Sequence, residues 1–579
     1  MKKNVSIPYT TPVNTYICAQ NSGKCAKYLL YMTQSFIELI ERGIVDNWDK
    51  KALTDYEGAT LQYKDVARKI EKIHSILEQI NIQPGEKIAI CGRNSANWCV
   101  AFLGVMTYGA VVVPILHEFK SDNVHNIVNH SEARFLFVGD QVWENLDERQ
   151  MPVLEGIVSL KDFSLLVSRS EELTYAREHL NELFGKKYPC RFLRQDIRWR
   201  REHTEELAII NYTSGTTGYS KGVMLPYRSL LSNVNYCRRM IGVKAGDSIV
   251  SMLPMGHVFG MVFDFLYGIT SGAHLWFLTR MPSPKIIAES FAEIKPRIIS
   301  CVPLVVEKIF KKNILPRVNS NLSKLMMHLP IINDHAKAYI RQEAINVFGG
   351  NFIEIIIGGA PFNAEVEEFV KKIDFPYTLA YGMTECGPII CHERFDEHRL
   401  GSCGMAADNM EVKVLSPDPV NMPGELVCRG MNLMTGYYKN PDATAQVIDR
   451  DGWLHTGDMA VMDTEGHFYI KGRCKNMLLT ASGQNIYPEE MESKLNNMPY
   501  VSESLIVLRE DKLEALVYPD GDDAYAHGLN SSDLERIMEE NRQNLNATLP
   551  AYSQIARIRL HPEEFEKTAK KSIKRFLYS

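Results

Sequence analysis

The residues with the clearest chemical purpose form a run of small hydroxyl and glycine residues after an apolar stretch. The run, Thr213-Ser-Gly-Thr-Thr-Gly218, follows a predicted strand at 207–210 and is soon followed by Lys221. Glycines let backbone N–H groups approach a phosphate, hydroxyls add donors and a lysine adds charge. The glycine spacing differs from the Walker pattern GxxxxGKS/T. The run therefore predicts a polyphosphate-binding loop, with a surface turn as the alternative. Its predicted contacts are Thr213, Ser214, Gly215, Thr216, Thr217, Gly218 and Lys221.

This loop resembles the signature S/T-S-G-T-T-G-x-P-K-G of the adenylate-forming superfamily, which includes acyl-CoA ligases, luciferases and peptide-synthetase adenylation domains. The sequence has Ser220 where the family usually has proline, a change that affects the stiffness of the loop more than its donors. Further segments match the family in the expected order. The resemblance in total covers about residue 33 to the C-terminus.

The resemblance implies roles for two segments in the middle of the chain. The adenine and phosphate contacts that it implies are Gly358, Gly359, Ala360, Tyr381, Gly382 and Thr384. Tyr381 is expected to stack on adenine, Thr384 to reach the α-phosphate and Glu385 to hold Mg²⁺, a hard cation that prefers carboxylate oxygen. An ordinary strand-to-helix turn is the alternative for the glycine pair.

Two later segments are similar to the ribose and hinge motifs of the family. Asp458, in Trp453-Leu-His-Thr-Gly-Asp458, is expected to accept hydrogen bonds from the ribose hydroxyls; a turn aspartate is the alternative. Arg473 is expected to contact the nucleotide, and the residues after it, which include Asn476, are expected to form a hinge. Gly483 resembles the position that lets the pantetheine of coenzyme A pass.

The C-terminal segment departs from the family, which places a lysine there that acts during adenylation. Without gaps, that position falls on Ser572, and Lys571 precedes it. We therefore predict that Lys571 takes the role. A solvated basic tail is the alternative, since lysine runs are common at exposed termini.

Aromatic and aliphatic residues surround His257, which matches the histidine motif that ends the acid pocket in acyl-CoA ligases. The predicted pocket residues are His257, Val258 and Phe263. The run Met261 to Tyr267 either lines an apolar tunnel or packs in the core. The segment Val302 to Phe310 is closest to long-chain ligases, which favours a long-chain fatty acid as the substrate.

The elements that must position these residues alternate between short apolar strands and amphipathic helices. Val66, Ile70, Ile73 and Leu77 recur at helical spacing, and apolar runs such as Phe135 to Val138 predict strands. The predicted fold is α/β, with a large N-terminal domain of α/β subdomains and a β-rich lobe, and a small mobile α+β C-terminal domain. The predicted parts are an extension at 1–31, the large domain at 32–473 with its lobe at about 400–473, and the C-terminal domain at 474–579.

Net charge, cysteine spacing and the interruptions of an uncharged apolar run argue against three other classes of protein: nucleic-acid binders, zinc proteins and transmembrane proteins. A net charge of −5 argues against a nucleic-acid binder. The cysteines lack zinc spacing, which predicts buried free thiols and a cytoplasmic location. Gly104, Gly109 and Pro114 interrupt the uncharged run 99–116, so a buried helix and strand are predicted there, not a transmembrane helix. Contact with a membrane surface and the oligomeric state stay open.

The sequence therefore predicts an ATP-dependent, AMP-forming ligase that uses Mg²⁺ and transfers a fatty acid to coenzyme A. One alternative is an adenylation enzyme that loads the thiol of a carrier protein. Another is a non-catalytic binder of nucleotide or acyl groups, because the C-terminal lysine motif is disturbed.

Overall fold

A computed structural model describes most of the chain and supports each element below. The described residues are 34–213, 220–278, 283–310, 314, 334–479, 485–509, 512–567 and 573–578. Several predictions fall outside these ranges. They concern the extension at 1–31 and the residues Ser214, Gly215, Thr216, Thr217, Gly218, Gly483 and Lys571.

The largest sheet has eight strands and carries the predicted phosphate loop at one edge of its parallel part. Its strands, in spatial order, are Gly436–Tyr437, Lys221–Pro226, Leu207–Thr213, Val111–Ile115, Lys87–Cys91, Phe135–Val138, Gly156–Ser159 and Leu165–Ser168. The five strands from Leu207–Thr213 to Gly156–Ser159 are parallel. Both faces of these strands are buried, each in a different hydrophobic cluster, so the strands read as continuous apolar runs.

Two four-stranded sheets complete the α/β part. One contains Ser248–Ser251, His274–Phe277, Lys51–Asp55 and Thr60–Gln62, and the other contains Ile299–Cys301, Ile355–Gly358, Tyr377–Gly382 and Ile389–Cys391. The first three strands of each sheet are parallel. Ligand sites in open α/β sheets lie beyond the carboxyl ends of parallel strands, where Ser251, Cys301 and Gly358 are found here.

The helices follow the apolar periodicity of the sequence. In Tyr63–Gln79 the predicted face, Val66, Ile70, Ile73 and Leu77, is buried. The other helices of the α/β part are Phe36–Val45, Ala96–Tyr108, Ser121–Ser131, Asp140–Trp143, Glu171–Glu178, Leu180–Lys187, Tyr227–Met240, Pro284–Ile294, Pro303–Ile309, Asp334–Val347 and Ala364–Lys372. A further buried helix runs through Val258–Gly260, a π-helical part Met261–Leu266, and Tyr267–Thr270.

The uncharged run 99–116 forms a buried helix and a strand, as predicted. The helix Ala96–Tyr108 ends at Gly109, whose φ is 96°, and the strand Val111–Ile115 follows. A positive φ is the conformation that glycine adopts without steric cost. In the described ranges, no helix has both the length and the apolar character that crossing a membrane requires.

The last part of the chain forms three further sheets, of four, two and three strands. The β-rich lobe is an antiparallel sheet of Met410–Leu415, Gly424–Gly430, Leu454–Met462 and Phe468–Arg473, with the helix Pro441–Ala445 beside it. Beyond it come the hairpin Leu478–Leu479 and Asn485–Ile486, the strands Val501–Arg509, Lys512–Pro519 and Arg557–Leu560, and the helices Pro488–Leu495, Gly521–Ala526 and Ser531–Ala547. The predicted α/β class is confirmed, while the boundary at residue 473 stays a prediction.

A candidate nucleotide and acid site

The structure brings most of the predicted site residues into one cleft of about 2710 Å³. The cleft lies at the carboxyl ends of the parallel strands, between the three sheets and the C-terminal part of the chain. Its predicted members are Thr213, Lys221, His257, Phe263, Gly358, Gly359, Ala360, Tyr381, Gly382, Thr384, Glu385, Asp458 and Arg473. Val258 is fully buried in the main hydrophobic core and does not line the cleft.

Lys221 is fixed opposite Thr213 at the two ends of the predicted phosphate loop. The strands Leu207–Thr213 and Lys221–Pro226 are antiparallel neighbours, and these two residues are paired in register. The ammonium group of Lys221 lies 4.8 Å from the centroid of the Tyr437 ring. Such a cation–π contact orients a lysine without neutralising its charge. Lys221 therefore presents positive charge to the cleft, directly after the predicted phosphate loop.

Tyr437 also connects this lysine to the predicted metal carboxylate. Its hydroxyl donates to Glu385 Oε1 at 2.8 Å, and burial together with Glu385 raises the pKa of Tyr437. The short strand Gly436–Tyr437 pairs with Lys221–Pro226 and so places Tyr437. Sequence reasoning missed Tyr437, because nothing in its local pattern distinguishes it from other tyrosines.

Thr384 and Glu385 lie in a tight turn just after a strand of the third sheet. The turn Thr384–Cys386 follows the strand Tyr377–Gly382. A Cβ atom on Gly382 would lie 2.1 Å from the carbonyl oxygen of Pro388, so only glycine fits there. The carboxylate of Glu385 and the hydroxyl of Thr384 are oxygen donors of the type that Mg²⁺ prefers. Mg²⁺ usually takes one or two carboxylates and completes its shell with phosphate oxygens and water, so this donor set fits a Mg²⁺–nucleotide complex.

Asp458 is held by two partners at the centre of the cleft. Tyr381 donates its hydroxyl to Oδ2 of Asp458 at 2.5 Å, and Arg473 Nε lies 2.7 Å from Oδ1. Asp458 and Arg473 are paired across adjacent strands of the β-rich lobe. Burial raises the pKa of Asp458, and Arg473 and Tyr381 oppose that rise. Residues from the predicted adenine and hinge motifs, Tyr381 and Arg473, thus contact the carboxylate of Asp458, which belongs to the predicted ribose motif.

The residues after Arg473 lead directly into the C-terminal part of the chain. Asn476 donates to Glu489 Oε1 at 2.6 Å, and Lys471 lies 3.0 Å from Glu490. Lys475, which sequence reasoning did not single out, lines the cleft and is exposed to solvent. Burial, Arg473 and Lys221 all lower the pKa of Lys475. A nucleotide in the cleft would therefore meet a third cationic side chain.

The C-terminal tail also reaches the cleft. Lys567 and Ile573 form a β-bridge on either side of the predicted lysine position, and Lys574 pairs with Glu566. Arg575 pairs with the buried Glu492. The tail residues that line the cleft are Ile573, Lys574, Arg575 and Phe576. The tail is thus anchored beside the cleft, whereas the predicted role of Lys571 stays untested.

The predicted acid pocket opens from the loop that carries His257. Asn94 Nδ2 donates to Leu253 O at 2.7 Å and Asn94 Oδ1 accepts from the Met255 amide at 2.9 Å, which fixes this loop. The pocket walls are apolar and include Phe259, Phe263, Leu278, Ile287, Val302 and Val305. Within the run Met261 to Tyr267, Phe263 lines the cleft, Asp264 is a fully buried charged residue, and the remaining residues pack in the main hydrophobic core.

The cysteines do not form a metal site in the described part of the chain. Eight of the described cysteines are buried free thiols, as predicted, among them Cys386, Cys391 and Cys403. Cys190 is exposed and Cys474 is half-buried, so the prediction of burial is wrong for these two. No cluster of three or more histidine, cysteine, aspartate or glutamate side chains there is arranged to bind a metal.

The sequence was compared with known protein families, and one family matches more than half of the chain. A model of the family described as AMP-binding enzyme matches residues 41–438. Among the relatives, the long-chain-fatty-acid–CoA ligase heimdall of Drosophila melanogaster is 26% identical over 492 residues, which cover 79% of this chain and 71% of the relative.

Solved structures show the same fold along almost the whole chain. The crystal structure of the anthranilate CoA ligase AuaEII with anthranoyl-AMP matches with a TM-score of 0.76 and 20% identity, covering 94% of this chain and 96% of that one. The O-succinylbenzoate coenzyme A synthetase of Bacillus subtilis with ATP and a magnesium ion matches with a TM-score of 0.70 and 18% identity, covering 93% and 98%.

Proposed function

Because this chain belongs to the family of AMP-binding enzymes, we propose that it is an AMP-forming ligase that joins a long-chain fatty acid to coenzyme A. The observation that carries the proposal is a single cleft shared by two kinds of surface. Charged residues around Lys221, Glu385 and Asp458 lie at one end, and an apolar pocket beyond His257 lies at the other. Such a cleft can hold a nucleotide and an apolar acid side by side.

In the first half-reaction, the carboxylate of the acid attacks the α-phosphorus of ATP, and pyrophosphate leaves. Lys221 supplies positive charge to the phosphates, Asp458 holds the ribose hydroxyls, and Thr384 contacts the α-phosphate. Glu385 would hold Mg²⁺, which when bound would supply further positive charge beside the α-phosphate and the departing pyrophosphate. The protein contributes mainly orientation and electrostatic stabilisation, because the reaction itself needs no covalent help from a side chain.

In the second half-reaction, the thiol of coenzyme A attacks the acyl-adenylate and AMP leaves. Residues before and after Arg473 line the same cleft, so rearrangement at this point would exchange one set of side chains for another between the two steps. We propose that residues 474–579 act as the mobile C-terminal domain and that Gly483 borders the path of the thiol.

The fatty acid is proposed from the apolar walls of the pocket and from the relative that is a long-chain-fatty-acid–CoA ligase. The solved structures with related folds include ligases for aromatic acids. An aromatic acid is therefore the most informative competing substrate. We also propose a cytoplasmic location, and leave peripheral contact with a membrane to experiment.

The test is turnover by the full chain with ATP, Mg²⁺ and a panel of short, medium, long and aromatic acids. We expect pyrophosphate release with long-chain acids, and AMP and acyl-CoA when coenzyme A is added. A thioester formed only with a carrier protein would favour the carrier-loading alternative. Nucleotide binding without pyrophosphate release from any acid would identify a non-catalytic binder.

A further inference from the structure

The loop that carries His257 lies over the carboxyl ends of three neighbouring strands of the largest sheet. This loop, residues 252–257, follows the strand Ser248–Ser251, which belongs to another sheet. The three strands are parallel and lie side by side in the order Leu207–Thr213, Val111–Ile115 and Lys87–Cys91. The first of them leads into the predicted phosphate loop. The loop 252–257 therefore borders both the predicted acid pocket and the predicted phosphate site.

Asn211 joins this loop to the strand that leads into the phosphate loop. It lies two residues before Thr213 and donates its side-chain amide to the carbonyl oxygen of Gly256 at 2.8 Å. Asn211 is only 2% exposed, so water does not compete for this bond. Burying an amide in an apolar strand carries a desolvation cost, which the hydrogen bond to the loop offsets. Thr213 and His257, on the two sides of this bond, both line the cleft.

Two further contacts hold the same loop. Asn94, which follows the third strand, donates to Leu253 O at 2.7 Å and accepts from the Met255 amide at 2.9 Å. At Gly256, a Cβ atom would lie 3.1 Å from the carbonyl oxygen of Ile115, so the backbone of the loop rests on the end of the middle strand. The loop is thus held by all three strands.

We propose that Asn211 is a positioning residue for acyl-adenylate formation. This inference rests on the proposed function. In that half-reaction, the carboxylate and the α-phosphorus belong to two separately bound substrates, and the rate depends on how well they are aligned. The bond from Asn211 to Gly256 sets the distance between the wall of the acid pocket at His257 and the strand that carries the phosphate loop. Asn211 acts through the loop and contacts neither substrate.

Two consequences distinguish positioning from a role in stability alone. Thioester formation from a supplied acyl-adenylate does not depend on this alignment, because the acyl group and the phosphate are already joined. The carboxylate is also the same group in every acid. The loss of Asn211 should therefore slow the first half-reaction selectively, and to the same degree for medium-chain and long-chain acids.

The experiment measures pyrophosphate release in a single turnover by the full chain and by Asn211→Ala, over a range of ATP concentrations. We expect the maximal rate to fall by about 10- to 100-fold, since a displacement of about 1 Å can cost about 10²-fold. The ATP concentration for half-maximal rate, and the rate of thioester formation from supplied acyl-adenylate, should each stay within about threefold of the parent value.

Asn211→Thr is the second variant, in case Asn211→Ala folds poorly. Threonine suits a strand, but its hydroxyl is too short to reach Gly256, so the same selective loss is expected.

Asn541→Ala is the matched control. Asn541 is also 2% exposed and donates its side-chain amide to a carbonyl oxygen, that of Pro499, at 2.9 Å. This variant should lose a similar amount of thermal stability and keep the normal rate of pyrophosphate release. A normal maximal rate in both Asn211 variants, or equal losses in the two half-reactions, would overturn the inference while leaving the proposed ligase intact. Failure of the parent to release pyrophosphate with any acid would overturn both.

Discussion

The two ends of the cleft differ in how their polar groups are satisfied. At the nucleotide end, Asp458 has Tyr381 and Arg473, and Glu385 has Tyr437. At the acid end, Asp264 is completely buried among hydroxyl and backbone groups, and burial raises its pKa to about 8. Preorganised charge suits a ligand part that is the same in every turnover, such as ATP. A largely apolar pocket suits the part of the substrate that differs from one acid to another.

The largest effect should come from removing charge at the nucleotide end. Lys221→Ala is expected to slow acyl-adenylate formation by about 10²–10³, the usual cost of losing a preorganised group that stabilises the transition state. The measurement is pyrophosphate release in a single turnover.

Lys439→Ala is the matched control for that prediction. Lys439 also lies over a tyrosine ring, that of Tyr438, at 5.2 Å, but it pairs with Glu132 on the surface. It should release pyrophosphate at nearly the normal rate. If both variants lost activity equally, the effect would belong to the packing of lysine on tyrosine and not to the phosphate site.

A similar loss is expected at the C-terminus if Lys571 supplies the second charge. Lys571→Ala should slow acyl-adenylate formation by about 10²–10³, and it should leave thioester formation from supplied acyl-adenylate near normal, because the charge is needed while pyrophosphate leaves. Lys570→Ala and Lys574→Ala should have smaller effects. Equal and small effects from all three would identify the tail as a solvated basic terminus.

The nucleotide end could be read from the sequence because its residues lie in short motifs at strand ends. The apolar strand predicted at 207–210 continues to Thr213, which lines the cleft just before the predicted phosphate loop. Tyr437 could not be found in this way, because its position depends on pairing between two strands that are distant in sequence. The same is true of Asp264, since helical periodicity does not foresee a π-helical turn.

The fold could be predicted where a local pattern and burial agree. The helix over residues 63–79 and the strands of the β-rich lobe follow their periodicity closely. The role of the run after His257 stayed open between tunnel and core, because an apolar helix buried on all sides has no periodicity that marks one face. Only the packing shows that Phe263 faces the cleft.

A smaller effect is expected at the acid end, where replacing Asp264 should change how thermal stability depends on pH. The pKa of Asp264 is raised from 3.8 to about 8 in the folded protein. The folded protein therefore keeps a proton that the unfolded chain loses, and the contribution of Asp264 to stability falls as pH rises from about 4 to 8. Asp264→Asn should gain thermal stability relative to the parent over pH 5 to 8, and the gain should grow with pH.

Asp463→Asn is the control for that measurement, because the pKa of Asp463 is lowered whereas that of Asp264 is raised. Its backbone hydrogen bonds from His467 and Glu465 and its contact with His467 lower the pKa of Asp463 to about 2. Its stabilisation is present above pH 4 and is lost only as pH falls further. The variant should lose stability by a similar amount across pH 5 to 8. A pH-independent difference for Asp264→Asn as well would mean that Asp264 is charged in the folded protein.

The smallest effect should come from Tyr437→Phe, which separates the two contacts of this side chain. The ring that lies 4.8 Å from Lys221 is kept, and the hydroxyl that donates to Glu385 at 2.8 Å is lost. One hydrogen bond to a charged group contributes about 1.5–3 kcal/mol, but water can replace part of it in an open cleft, so we expect a loss of about tenfold. Glu385 is the predicted Mg²⁺ carboxylate, and the loss should therefore diminish at high Mg²⁺ concentration.

Tyr438→Phe is the control. Its hydroxyl donates to the exposed Glu132 at 3.1 Å, so this variant should show no such dependence on Mg²⁺. A loss in Tyr437→Phe that Mg²⁺ does not relieve would mean that Tyr437 orients Lys221 and that Glu385 does not serve the metal.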